Sequence, residues 1–170
     1  VGSVVTWAEA GVGAVATQSF VREAYGPEML ADLRAGMPPQ EDLDRRVQAD
    51  EGRAVRQIGV VDAQGRVAAW TGGSCIASAR HVTGAGFTCQ ANIMVNDGVV
   101  PAMAAAFTAA QGDLAGRLLV ALEGAQAAGG DLRGRQSAAI LVVEGQRQAE
   151  PWQGVLVDLR VEDHALPLVE

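Results

Sequence analysis

The apolar positions of this chain switch between the short runs of buried strands and the three-to-four spacing of amphipathic helices. From Val1 to Trp7 and from Ala10 to Ser19 it is dense in Val, Ala, Gly and Thr, and Gly2, Gly11 and Gly13 interrupt any helical period. This predicts two buried strands joined by a short turn at Glu9. Pro27 and Glu28 then mark a helix start, Met29, Leu30 and Leu33 share one face, and Gly36 is the stop. Pro38 and Pro39 open a second helix with Leu43 and Val47 on its buried stripe and Glu41, Asp42, Arg45 and Arg46 on its wet side. The two predict a helical hairpin.

Further on, Arg56 to Asp62 and Arg66 to Trp70 flank Ala63-Gln64-Gly65, a glycine-containing connection that predicts a β-hairpin within Val55 to Thr71. Gly72 to Gly86 has no period and carries Ser74, Cys75, Ser78, His81 and Thr83 among glycines, so it is expected to be a loop of the functional kind. Gly86 to Ile93 is expected as a strand. Helices are predicted over Val99 to Ala110 and Leu114 to Ala128, the second stopped by Gly129-Gly130, and strands over Gln136 to Val143 and Gly154 to Val161. Helices in pairs between runs of strands favour a layered α+β architecture over a doubly wound parallel sheet, and the 170 residues suffice for a single domain.

Composition narrows the chemistry. Hydrophobic residues make up 49% and charged residues 19%, as in ordinary globular proteins. Every one of the 13 basic residues is arginine, which excludes a Schiff-base lysine, a phosphate-loop lysine and a lysine base. A net charge of −7 speaks against nucleic acid as a partner. No apolar run approaches the roughly 18 residues of a membrane span, and Val1 to Trp7 lacks the basic flank of a signal peptide. Cys75 and Cys89 have no Cys-x-x-Cys spacing, so both are expected to be reduced thiols in a cytoplasmic protein. His81 stands without a second histidine at ligand spacing, Glu162-Asp163-His164 fits a solvated strand end, and neither metal nor cofactor is expected.

Two polar groups remain as site candidates. Gln90 and Asn92 fall on the same side of a strand by alternation, and amides in an otherwise apolar strand need buried partners or a ligand. The turn Gly129 to Ser137 gathers Asp131, Arg133, Arg135, Gln136 and Ser137 before a buried strand. Its arginines suit a substrate carboxylate, and an Asp131 salt bridge to Arg133 or Arg135 is an equal alternative.

Ala10-Gly11-Val12-Gly13-Ala14-Val15-Ala16-Thr17-Gln18, Arg56 to Asp62, His81-Val82-Thr83-Gly84, Gln90-Ala91-Asn92-Ile93, Gly129 to Ser137 and Val157-Asp158-Leu159-Arg160-Val161 run through most of the chain in order. Together they resemble a bacterial and archaeal domain-of-unknown-function family, number ten-twenty-eight. The resemblance implies an N-terminal-nucleophile-hydrolase-like superfamily and, with it, a four-layer αββα sandwich of two mostly antiparallel sheets flanked by helix pairs. In such enzymes a Thr, Ser or Cys freed at a chain start attacks an amide with its own α-amino group as base. The family's chains usually begin with a further strand hairpin carrying a Ser or Thr, and continue beyond the segment matching Glu170. The chain is therefore expected to lack both extensions, and Val1 offers an amine without a nucleophilic side chain. The resulting expectation is cleavage of a small amide or peptide, with Gln90, Asn92, Asp131, Arg135, Gln136 and Ser137 shaping the pocket and the nucleophile outside the chain. The alternatives are a non-catalytic ligand-binding or assembly module on the same scaffold, and an accessory role in peptidoglycan metabolism. The expected partner is the small-molecule amide or peptide, with no nucleic acid and no membrane, and the alanine-rich helices and acidic charge permit a homodimer without demanding one.

Overall fold

The computed structural model describes residues 4–169, and of 151 and 152 the backbone alone. Its strands are β1 (Thr6–Glu9), β2 (Gly13–Ser19), β3 (Arg56–Asp62), β4 (Val67–Thr71), β5 (Arg80–Gly84), β6 (Phe87–Ala91), β7 (Ala138–Val143) and β8 (Val155–Val161). Its helices are α1 (Tyr25–Arg34), α2 (Pro39–Ala49), α3 (Val99–Ala109) and α4 (Leu114–Ala127). β1 to β4 form one antiparallel sheet in chain order, and β5–β6 and β7–β8 form two antiparallel pairs. The protein is a mixed α+β fold of antiparallel sheets and four helices.

Local chemistry sets most boundaries. The first turn falls at Ala10–Val12 rather than at Glu9, because Gly11 takes φ +64 and the Val12 N–H closes on the Glu9 carbonyl at 3.0 Å. The first strand accordingly starts at Thr6; of the run expected from Val1, the first three residues lie outside the described residues. Pro39 stands in the first turn of α2, where its missing N–H has no helical partner to lose. Asp113 caps α4 by accepting the Gly116 N–H at 2.8 Å.

A second expectation is also corrected. The stretch Gly72 to Gly86, expected as loop, holds β5. Only Val82 of its five residues is a large aliphatic, so the alternation that marks a half-buried strand is missing. Arg80, His81 and Thr83 are exposed and only Val82 and Gly84 are half-buried, so the strand is held by its pairing with β6 rather than by a buried face.

Along β3, side chains alternate between two layers. Ile58 and Val60 point at α1 and α2, where Tyr25, Met29, Leu43 and Val15 complete a core whose members are nearly all solvent-free. Burying each of the larger side chains contributes about 2 kcal/mol. Gln57 and Gly59 point the other way, at the β5–β6 hairpin. A Cβ on Gly59 would come within 2.4 Å of the Gln90 amide, so this glycine is what lets the two layers approach. On the outer side of that hairpin, Cys89, Ala91, Val100 and Ala104 form a second core with Val82, Phe87, Met94 and Met103. Phe87 and Phe107 lock α3 to it with ring centroids 4.9 Å apart. Gly124 of α4 faces Ala106 of α3, and β7 joins the first sheet through the Gly11 N–H on the Glu144 carbonyl at 2.9 Å.

Candidate functional site

A seam of amides lies between the four-stranded sheet and the β5–β6 hairpin, and Gln57 is its centre. This side chain is fully buried. Its Nε2 donates toward the carbonyls of Arg80 (3.1 Å) and Ala91 (2.9 Å) and toward Thr71 Oγ1 (3.0 Å). Two backbone carbonyls can only accept, so the amide has a single orientation, with Oε1 left to receive Gln18 Nε2 at 2.7 Å and Asn92 Nδ2 at 3.0 Å. Strand register produces the cluster: Gln57 pairs with Gln18 on one side and with Thr71 on the other.

At its edge the seam opens into a cleft of about 520 Å³ lined by residues that include Thr71, Gly72, Cys75, Arg80 and His81. Thr71 Oγ1 and His81 Nδ1 are 2.9 Å apart. The Gln57 Nε2 beside Thr71 has no lone pair to offer, so the threonine hydroxyl donates to the imidazole whenever Nδ1 carries no proton. His81 is exposed, yet the groups crowding its ring desolvate it and hold its pKa below the ordinary imidazole value. It is therefore neutral near pH 7, and in its Nε2–H tautomer Nδ1 accepts. Arg80 stands at the rim, its guanidinium 3.2 Å from the Asp97 carbonyl. Cys75 Sγ donates to the Arg56 carbonyl at 3.3 Å, while burial pushes the Cys89 thiol up to about 11 and leaves it inert.

The predicted site residues divide. Gln90 and Asn92 both join the seam: Asn92 through its amide, Gln90 through its carbonyl, which accepts Gln18 Nε2 at 3.3 Å, and through Oε1, which accepts Thr88 Oγ1 at 2.8 Å. Beside them Ile93 adopts φ +61, rare for a β-branched residue, held by its N–H on Ile76 (3.0 Å) and its carbonyl under the Leu132 N–H (2.9 Å). Asp131 is bridged to Met94 and engaged by Arg133, through the backbone N–H at 2.8 Å and Nη2 at 2.6 Å. That pairing holds the Asp131 carboxyl below its usual range. Arg135 is exposed; Gln136 reaches Asp163 at 3.5 Å and its carbonyl accepts the His164 N–H at 2.8 Å, with half-buried Ser137 next to it. The turn thus splits between the segment after Asn92 and the strand end at His164.

Gln18, Gln57, Thr71 and His81 carried no signal as a group. One hint existed: Gly59, two residues after Gln57 on the same strand face, marks close approach of another layer.

A second cleft, about 470 Å³, lies over α1 and α2 and is charged. Arg46 binds Asp42 at 2.7 Å and also Glu28 and Asp32, and Arg45 binds Asp32 at 2.6 Å and Asp42 at 3.0 Å. These guanidiniums are spent on clamping the two helices together. Among the described residues no cluster of His, Cys, Asp and Glu could hold a metal ion, and no helix is long and apolar enough to cross a membrane.

No curated protein matches the chain. The crystal structure of the DUF1028 protein SPO2555 from Silicibacter pomeroyi superposes with a TM-score of 0.87 at 32% identity, over 99% of this chain and 70% of that one. Residues 1–170 match the model of the Family of unknown function (DUF1028). On that full-length match, the chain belongs to this family of unknown function.

Proposed function

We propose that this protein is an amide hydrolase of the N-terminal-nucleophile-like scaffold, acting on a small amide or peptide that enters the cleft at the edge of the amide seam. The observation that carries the proposal is the Thr71–His81 pair lining that cleft, with the Gln57 and Asn92 amides packed behind Thr71. A neutral imidazole beside a hydroxyl is the pairing that acyl transfer needs. Layering supports the scaffold: α1 and α2, the four-stranded sheet, the β5–β6 hairpin and α3 succeed one another in contact, the order of an αββα sandwich.

Of the turn residues, Asp131 is engaged by Arg133, so Arg135 is its carboxylate-binding candidate, with Gln136 and Ser137 beside it; Arg80 is the candidate at the cleft. The test is a panel of N-acetyl dipeptides and their C-terminal amides, scored by mass spectrometry for released amine, with wild type, Arg80→Ala and Arg135→Ala. Hydrolysis that prefers free carboxylates, weakened by one of the two replacements, supports the proposal and locates the carboxylate. No release from any member overturns it.

A non-catalytic ligand-binding module on the same scaffold is the second reading. The complete pairing of the Gln57 amide favours it, because a seam that is already satisfied also serves simply to hold two layers in register. Binding of the same dipeptides by calorimetry without turnover is its outcome.

A further inference from the structure

We infer that Thr71 is the nucleophile of this cleft and His81 its general base. The inference rests on reading the cleft as the amide site, and it places the attacking hydroxyl on β4, inside the described chain. Three observations meet here. With His81 in its Nε2–H tautomer the Thr71 hydroxyl donates to His81 Nδ1 at 2.9 Å, because its other side-chain neighbour, Gln57 Nε2 at 3.0 Å, offers no acceptor. Gln57 is itself held by two backbone carbonyls and two side-chain amides, so its Nε2 stays 3.0 Å from Thr71 Oγ1 and packs the hydroxyl in place. Finally, Thr71 and His81 both line the open cleft, so an acyl group can reach them from solvent.

The step balances within the pair. Thr71 Oγ1 forms a bond to the substrate carbonyl carbon while its proton passes to His81 Nδ1. The tetrahedral adduct then expels the amine, which takes that proton, and a threonyl ester remains. Water, giving its proton to the same nitrogen, adds to the ester; the acid departs and the proton returns to Thr71. Gln57 is a positioning residue in this scheme, because it holds the hydroxyl and does not meet the reacting atoms.

The decisive experiment uses p-nitrophenyl acetate, an activated ester whose acylation chemistry does not require amide turnover. Intact-mass analysis and peptide mapping are expected to find one acetyl group on Thr71, bound as a hydroxylamine-labile ester. Thr71→Val should abolish it and Thr71→Ser should keep it. His81→Ala, at an exposed position, should slow acylation about 100-fold. It should also erase a pH profile that climbs through a lowered imidazole pKa and levels near neutrality. Melting temperatures show which variants are folded, and if Thr71→Val fails to fold, mapping on wild type together with His81→Ala decides. Acetylation at another residue, undiminished labelling of folded Thr71→Val, or no labelling of wild type would overturn the inference. The two proposals fail separately: Thr71 acylated without amide release leaves the nucleophile standing and removes the substrate class, whereas dipeptides cleaved equally by Thr71→Val do the reverse.

Discussion

Gln57→Glu keeps the size of the side chain and reverses what it offers to the Arg80 and Ala91 carbonyls, turning two donations into repulsion. In a site with no solvent this should cost about 3 kcal/mol or more, read as a lower urea midpoint at unchanged slope. Asp42 makes the opposite case. It is solvent-free, its Oδ1 serves Arg45 and Arg46, and its Oδ2 has no hydrogen-bond partner. Burial dominates and raises its pKa. A raised folded value means that stability is fully present below the ordinary carboxylate pKa and declines as pH climbs from there through the raised one. Asp42→Asn, with nothing to ionise, should not show that decline, and thermal melts from mild acid to neutral pH check it. The polar positions on which this chemistry depends were only half legible. Gln90 and Asn92 stand out because two amides interrupt an apolar run, but Gln57 follows Arg56 in a hairpin strand and passes for a solvent-facing residue. Its partners Gln18 and Asn92 lie 39 and 35 residues away, a separation that no local pattern encodes.

At the scale of elements, local signals worked where the deciding chemistry was local. Gly36 at φ +95, Pro39 in the first turn of α2 and Ala63-Gln64-Gly65 between β3 and β4 each set a boundary from within a few residues. β5 escaped because Val82 is the one large aliphatic among its five residues and its pairing partner is another strand. The α3–α4 contact carries a sharper test. A Cβ on Gly124 would sit 2.6 Å from the Ala106 Cβ, so Gly124→Ala must push the helices apart despite the gain of about 1 kcal/mol in helix propensity. A net loss of stability is expected, relieved when Ala106→Gly is added, so a double-mutant cycle on melting temperature should be strongly non-additive.

For the whole molecule, two carboxylates pull the stability curve in opposite directions. Asp50 is buried among Tyr25 Oη (2.8 Å), Arg56 Nε (3.0 Å) and the Gly52 N–H (2.8 Å), tying α1 to the start of β3. Burial works against its charge, but the Arg56 and Tyr25 hydrogen bonds and the Gly52 N–H outweigh it and lower the pKa; burial and the same carboxylate push the Tyr25 phenol up to about 12. A lowered value gives stability that is present above the ordinary carboxylate pKa and lost as pH falls through the depressed one. Since Asp42 acts above that range and Asp50 below it, the melting temperature should peak in mild acid, and Asp50→Asn should make the acid limb shallower, the lowered Asp32 and Asp131 keeping the rest of it.

The pairing of β5 with β6 sets His81 opposite Gln90 and Val82 opposite Cys89, so imidazole and valine look in contrary directions. A single residue inserted at Ala85-Gly86 would throw the hairpin out of phase by one step. The isopropyl group would then rest on the threonine, and the imidazole would be driven in among Phe87 and Val100. Chemistry at this cleft is in that sense a matter of counting: two residues of turn keep the strand in step, and a third would silence it without touching a single reacting atom.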